Sequence, residues 1–270
     1  MELIDRGHGA TLILIPGIQG RWEWMSSAVD ALATQYRVLT FSLAVASGPR
    51  LFDQWLQQID RLVDHSGADT VTLVGVSFGG LVAANYAATR AGRVTRLVLV
   101  SAPSPSFTLN PRLQLYLRYP RLAFPLFGLG SVPRLWPEFR AGRPALTGTL
   151  SAAMRQLWRV GRFPASPRLM AECVREWKAT DLSSRFRRIT APTLVLTGEP
   201  DLDRVVPVSN SLEYLKLIAG AEHQTFPGAG HLGFILHPNA FATLVSDFIR
   251  RPDARDSRPT PAAETTAPCT

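Results

Sequence analysis

Ser77 stands at the centre of Gly75-Val76-Ser77-Phe78-Gly79, a G-x-S-x-G. The residues before it, Thr70 to Gly75 (TVTLVG), read as a buried strand. Those after it, Gly79 to Arg90, read as a helix of small residues. A serine on a tight strand-to-helix turn is held clear of the sheet in strained backbone geometry, as a nucleophile requires, and only glycine suits the flanking positions. A serine hydroxyl is weak alone and needs a base in contact. His231 lies in Gly228-Ala229-Gly230-His231-Leu232-Gly233, after the last strand pattern. Its glycine neighbours let the imidazole approach another loop. The other histidines have plainer readings. His8 precedes the core, His65 ends a helix where it suits the dipole, His223 starts a strand and His237 precedes Pro238. A third group must orient the base. Asp201 and Asp203 both lie in the segment from Gly198 to Pro207, and either is placed to hold the second imidazole nitrogen. These residue types in this order point to nucleophilic acyl chemistry.

The elements that would carry them alternate. Strand patterns run Thr11 to Pro16, Arg37 to Leu43, Thr70 to Gly75, Val94 to Ser101, Thr193 to Thr197 and Glu222 to Phe226. Helical spacing covers Trp22 to Thr34, Leu51 to His65, Gly79 to Arg90, Val208 to Ile218 and Gly233 to Arg250. Apolar strands separated by helices imply a mainly parallel, doubly wound sheet covered on both faces, an α/β class fold. Residues 1–103 and 189–250 form this core. The alternation stops between them. Residues 104–188 contain scattered prolines and helical patterns around Leu150 to Trp158 and Arg168 to Trp177, which predicts a helical insertion. Residues 251–270 are Pro, Ala, Thr and charge, and read as a disordered tail.

A chain of 270 residues, 46% hydrophobic and 19% charged, buries a full core without a metal or disulfide. Only Cys173 and Cys269 are present, which excludes a disulfide framework and a CxxC metal site. The net charge is +8. Between Ser104 and Arg188 there are 15 basic and 4 acidic residues, a balance of +11, so the remainder carries −3. Solvated arginine-rich helices explain this plainly. An anionic substrate, an acidic partner or an anionic membrane surface are the sharper readings. No nucleic-acid-binding signature accompanies the charge, so no nucleic-acid partner is expected. The longest apolar runs are far too short to span a bilayer, and membrane contact is not expected. The first residues show no basic stretch followed by an apolar one, so a cytoplasmic location is expected.

On the order Ser77, then the 201/203 acid, then His231, with the elbow between strand and helix, the chain resembles the α/β-hydrolase superfamily over roughly residues 3 to 250. The resemblance implies that 104–188 is a lid. It also bears on the acid. The family's acid stands three residues after the strand-ending glycine, which gives Asp201 from Gly198. It also stands four before the proline of a Val-Pro pair, which gives Asp203 from Pro207. The stretch Arg-Val-Val-Pro after it favours Asp203, and Glu199 is the weakest of the three. The resemblance further implies an oxyanion hole from two backbone N–H groups, those of Phe78 and of Ile18. The chain has Pro16-Gly17-Ile18-Gln19-Gly20 where the family has His-Gly. Trp22 and Trp24 lie just beyond and read as core packing or as a wall of the acyl pocket. Two further departures are the short run before Thr11, which leaves the first antiparallel strands shortened or absent, and the loop after Phe41, which lacks Asp-x-x-Gly.

The implied activity is that of a serine hydrolase of carboxylesterase type. It would cleave a small carboxylic ester or related acyl substrate through Ser77, His231 and Asp203 and an acyl-enzyme, with no metal or organic cofactor. A serine elbow argues against haloalkane dehalogenase and epoxide hydrolase chemistry. Leu113 to Leu129 mixes apolar, aromatic and arginine residues, which would suit an apolar acyl chain bearing an anionic group. The alternatives are an acyltransferase, a lyase or a perhydrolase-type enzyme on the same triad, or a non-catalytic binding protein of this fold. Oligomeric state is not legible.

Overall fold

The computed structural model describes residues 3–43, 50–108, 111–141 and 146–252. The expected tail and most of the loop after Phe41 lie outside the described residues. Seven strands form one sheet: β1 (Leu3–Arg6), β2 (Thr11–Ile15), β3 (Arg37–Phe41), β4 (Val71–Val76), β5 (Val94–Val100), β6 (Thr193–Thr197) and β7 (Glu222–Thr225). Their order is β1-β3-β2-β4-β5-β6-β7. Among the described residues only β1 is antiparallel, against β3; the other pairs are parallel. The first antiparallel strand is thus present but four residues long.

Alternation along the strands builds two cores. Leu12, Leu14, Val38, Val74, Val98 and Leu196 point to the face covered by α1 (Ser26–Leu32) and α12 (Pro238–Ile249). Ile13, Ile15, Leu39, Leu73, Leu97 and Val195 point to the face covered by α2 (Leu51–Ser66) and α3 (Phe78–Thr89). Helix α3 is buried on all sides from Phe78 to Ala87. Its small residues allow that depth: a Cβ on Gly80 would meet that of Ala102 at 2.4 Å.

Three helical stretches are more broken than their spacing suggests. Trp22–Met25 is a 3₁₀ turn ahead of α1. The stretch from Val208 splits into α9 (Val208–Ser211) and α10 (Tyr214–Leu217). The last splits into α11 (Gly233–Leu236) and α12 at His237, because Pro238 drives the residue before it out of helical geometry.

Between β5 and β6 the described residues carry helices α4 (Pro111–Arg118), α5 (Pro120–Arg140), α6 (Leu146–Arg162), α7 (Pro167–Ala179) and α8 (Leu182–Phe186), joined by loops. Ser166 caps α7 by accepting the Leu169 N–H, with Pro167 at the first turn. Helix α5 continues through Pro125, Pro133 and Pro137.

Candidate active site

The strand order reverses at β2, with β3 on one side and β4 on the other. Ligands of open α/β sheets bind outside the carboxyl ends of the strands at such a point. The turn after β2 and the turn after β4 meet there. Ser77 follows β4 at φ 52° and ψ −125°, a conformation side chains rarely adopt. Two backbone hydrogen bonds hold it. Its N–H donates to the Val100 carbonyl at 2.8 Å, and its carbonyl accepts the Gly80 N–H at 2.8 Å. Gly79 lets β2 approach: a Cβ there would lie 2.5 Å from the carbonyl oxygens of Ile15 and Pro16. A Cβ on Gly75 would likewise meet the Gly79 carbonyl at 2.5 Å. The elbow glycines are therefore required by close backbone approach, since neither has a positive φ.

Gly17 sits beside Ser77, its would-be Cβ 3.5 Å from that of Ser77. Ile18 therefore flanks the serine from β2, and Phe78 flanks it as the first residue of α3. The opening N–H groups of a helix have no partner within it. Ile18 and Trp24 pack on a small cluster of Tyr116, Ala165 and Met170. The Trp24 indole donates to the Phe163 carbonyl at 2.9 Å, tying the 3₁₀ turn to the segment after α6. Trp22 is buried in the core beneath Arg6.

The loops after β6 and β7 are pressed together. A Cβ on Gly198 would lie 2.6 Å from the Gly230 Cα, and one on Gly230 2.6 Å from the Leu202 carbonyl. This contact brings His231 onto Asp203, Nδ1 to Oδ1 at 3.2 Å, both side chains buried. The Val205 and Val206 N–H groups donate to Asp203 Oδ1 at 3.2 and 3.1 Å. Burial would raise the Asp203 carboxyl. The charge and hydrogen bond of His231, the Val206 N–H and the Ser101 hydroxyl outweigh it, and the group is held below the ordinary aspartate range. Burial likewise lowers His231, but the Asp203 charge and hydrogen bond, with the Glu138 charge, carry it above the ordinary histidine value. Asp201 is exposed. Glu199 turns to the Gly228 N–H at 2.7 Å. Among the described residues no hydrogen bond joins Ser77 to His231.

His65 and His223 have other partners, Asp5 and the Thr197 hydroxyl.

Two residues escape the motif reading. Ser101, at φ 43° after β5, is buried with its hydroxyl on Asp203. Glu138, on α5, reaches into the site from the insertion. Its Oε1 accepts the Gly230 N–H at 3.0 Å and the Leu232 N–H at 2.6 Å, bracketing His231. Its Oε2 is buried without a hydrogen-bond partner among the described residues. Burial pushes this carboxyl up to about 7, the negative Asp203 adding to the rise and His231 opposing it. A signal existed: Glu138 is the single acid between residues 104 and 163.

Known proteins of similar sequence and structure identify the fold. The family model for the alpha/beta hydrolase fold matches residues 10–238. The chain is 29% identical to a 2-hydroxymuconate semialdehyde hydrolase of Pseudomonas putida, over 95% of this chain and 92% of that one. It is 27% identical to a pimeloyl-[acyl-carrier protein] methyl ester esterase of Photobacterium profundum, over 90% and 96%. The structure of the enol-lactonase from Burkholderia xenovorans superimposes with a TM-score of 0.74 at 21% identity, covering 93% of this chain and 96% of that one. The sheet order, the serine turn at its switch point and the matched span place the chain in the α/β-hydrolase fold family.

Proposed function

We propose that the protein is a serine hydrolase acting on a carboxylic ester or related acyl substrate. The observation that carries this reading is the buried His231–Asp203 pair, held on loops at the same sheet edge as the strained Ser77 turn. His231 Nδ1 faces Asp203, which leaves Nε2 on the far side of the ring to take the Ser77 proton. Ser77 Oγ then attacks the carbonyl carbon. The Phe78 and Ile18 N–H groups hold the negative oxygen. As the carbon–oxygen bond breaks, the leaving alcohol takes the proton from His231, and an acyl-serine remains. Water gives its proton to His231, attacks the acyl carbon and releases the acid, returning Ser77 to its hydroxyl. The apolar cluster of Tyr116, Met170, Trp24 and Ile18 offers an acyl chain a wall beside the oxyanion position. Helices α4 to α7 serve as the lid. Both curated relatives described above bear hydrolase or esterase names, which favours water as the acyl acceptor.

Fluorophosphonate labelling followed by intact mass tests the reading. One adduct on the wild type, lost in Ser77→Ala and in His231→Ala, is the expected result. A folded wild type that takes no label, or a label that survives Ser77→Ala, overturns it.

A further inference from the structure

Helix α6 is turned outward. Leu150, Met154, Leu157 and Trp158 recur at the helical period, so they share one face, and they are 48%, 65%, 62% and 66% exposed. The residues it turns inward are smaller or polar: Ala153, Gln156 and Val160 are only partly exposed. Helix α5 repeats the arrangement. Leu122, Leu129, Val132 and Trp136 share a face and are 80%, 71%, 58% and 37% exposed. Glu138 and Phe139, one step along the same helix, face inward to the His231 loop. Apolar area of this extent marks a docking surface.

Charge identifies the occupant. From residue 104 to 163 the sequence has nine arginines and one acid, and that acid, Glu138, is buried. Arg118, Arg121, Arg134, Arg140, Arg155 and Arg162 are exposed on α4, α5 and α6. A second copy of the chain would oppose arginines with arginines. We propose that α5 and α6 dock on a bilayer surface bearing anionic headgroups, with Leu150, Met154, Leu157 and Trp158 entering the acyl boundary and the arginines pairing with phosphates. The contact is peripheral, since no helix among the described residues is long and apolar enough to cross a membrane. A helix that lies on a bilayer needs an apolar face at period 3.6, whereas one that crosses needs an unbroken apolar run. The arginine–phosphate attraction adds to the apolar term and is screened by salt. Docking there would set the insertion, and the loop it clamps through Glu138, beside esters dissolved in the lipid.

Co-sedimentation of the full-length protein with vesicles tests this without any assay of hydrolysis, so Ser77→Ala should bind as the wild type does. Binding is expected to vesicles of phosphatidylcholine with phosphatidylglycerol, and to fall on adding salt or on omitting phosphatidylglycerol. Arg155→Gln and Arg162→Gln should each weaken it about fivefold. Met154→Ser with Trp158→Ser should weaken it by at least about tenfold. Those side chains are exposed, so thermal unfolding of the variants should match the wild type and certify their fold. Absence of binding to anionic vesicles at low salt overturns the proposal. So does equal binding to neutral vesicles, or binding indifferent to the double variant. A lipid-free dimer that Met154→Ser with Trp158→Ser dissociates would assign the face to a second copy and overturn it as well.

Discussion

Glu138 on α5 accepts the backbone N–H of Leu232 at 2.6 Å, across 94 positions of sequence. With the Gly230 N–H on the same oxygen, one insertion side chain fixes both flanks of His231. Glu138→Gln keeps that oxygen and places its amide where Oε2 has no partner. Glu138→Ala leaves two buried donors unsatisfied. The alanine variant should lose on the order of 2–4 kcal/mol and most of its turnover, and glutamine should restore both. Urea melts beside ester kinetics decide this; equal losses in the two variants would refute the clamp.

The same carboxyl predicts a pH effect on stability. Its value is 4.5 when unfolded and about 7 in the fold, raised mainly by burial. The folded state therefore holds the extra proton between these values. The contribution is whole below the unfolded value and is lost as pH rises through about 7, on the order of 3 kcal/mol in all. His231, also raised, acts in the same direction, whereas lowered Asp203 favours the fold above acid pH and loses that contribution as pH falls. Thermal melts from about pH 5 to 8 should show a decline that Glu138→Gln flattens.

Activity should respond to pH the other way. In the proposed reaction His231 acts as a base only when neutral, and it is raised above the ordinary histidine value of 6.5. The acid limb of kcat/KM should thus have its midpoint above 6.5 and move down in Asp203→Asn, whose turnover should fall about 10⁴-fold. Asp201→Asn, exposed, should change neither. A large loss in Asp201→Asn would overturn the assignment of the orienting role to Asp203.

Strain at Ser77 is a stability cost tied to its φ of 52°. Ser77→Gly should therefore raise stability by about 1 kcal/mol, near 2 °C in Tm, while abolishing activity. Ser77→Ala retains the Cβ and should gain nothing. Calorimetry of the pair separates strain from loss of the hydroxyl.

Close approach at Gly79 makes the opposite prediction. Gly79→Ala drives a Cβ into two β2 carbonyls and should cost about 3 kcal/mol. Gly92→Ala, with no atom within 4 Å, is the control and should be near neutral.

The parallel sheet, the serine elbow and the chain order of serine, acid and histidine are local matters, and the sequence by itself determined them. Branched runs such as Leu12 to Ile15 are strands in any context that buries them, and G-x-S-x-G describes a turn completed within five residues. The acid was different. Asp201 and Asp203 are two positions apart in one loop, and spacing admits both. The contact of Gly198 with Gly230 and the Val205 and Val206 N–H groups turn Asp203 inward, which is a property of two loops meeting. Ser101 and Glu138 join the site from a different strand and from the insertion, so the motifs around Ser77 and His231 do not contain them, and the isolation of Glu138 among arginines was the one sequence trace of it. Helical period likewise shows that Leu150, Met154, Leu157 and Trp158 share a face. It does not say whether that face turns to the core, because direction depends on what the helix packs against. Only the tertiary structure decides that, and here it turns the apolar side to solvent.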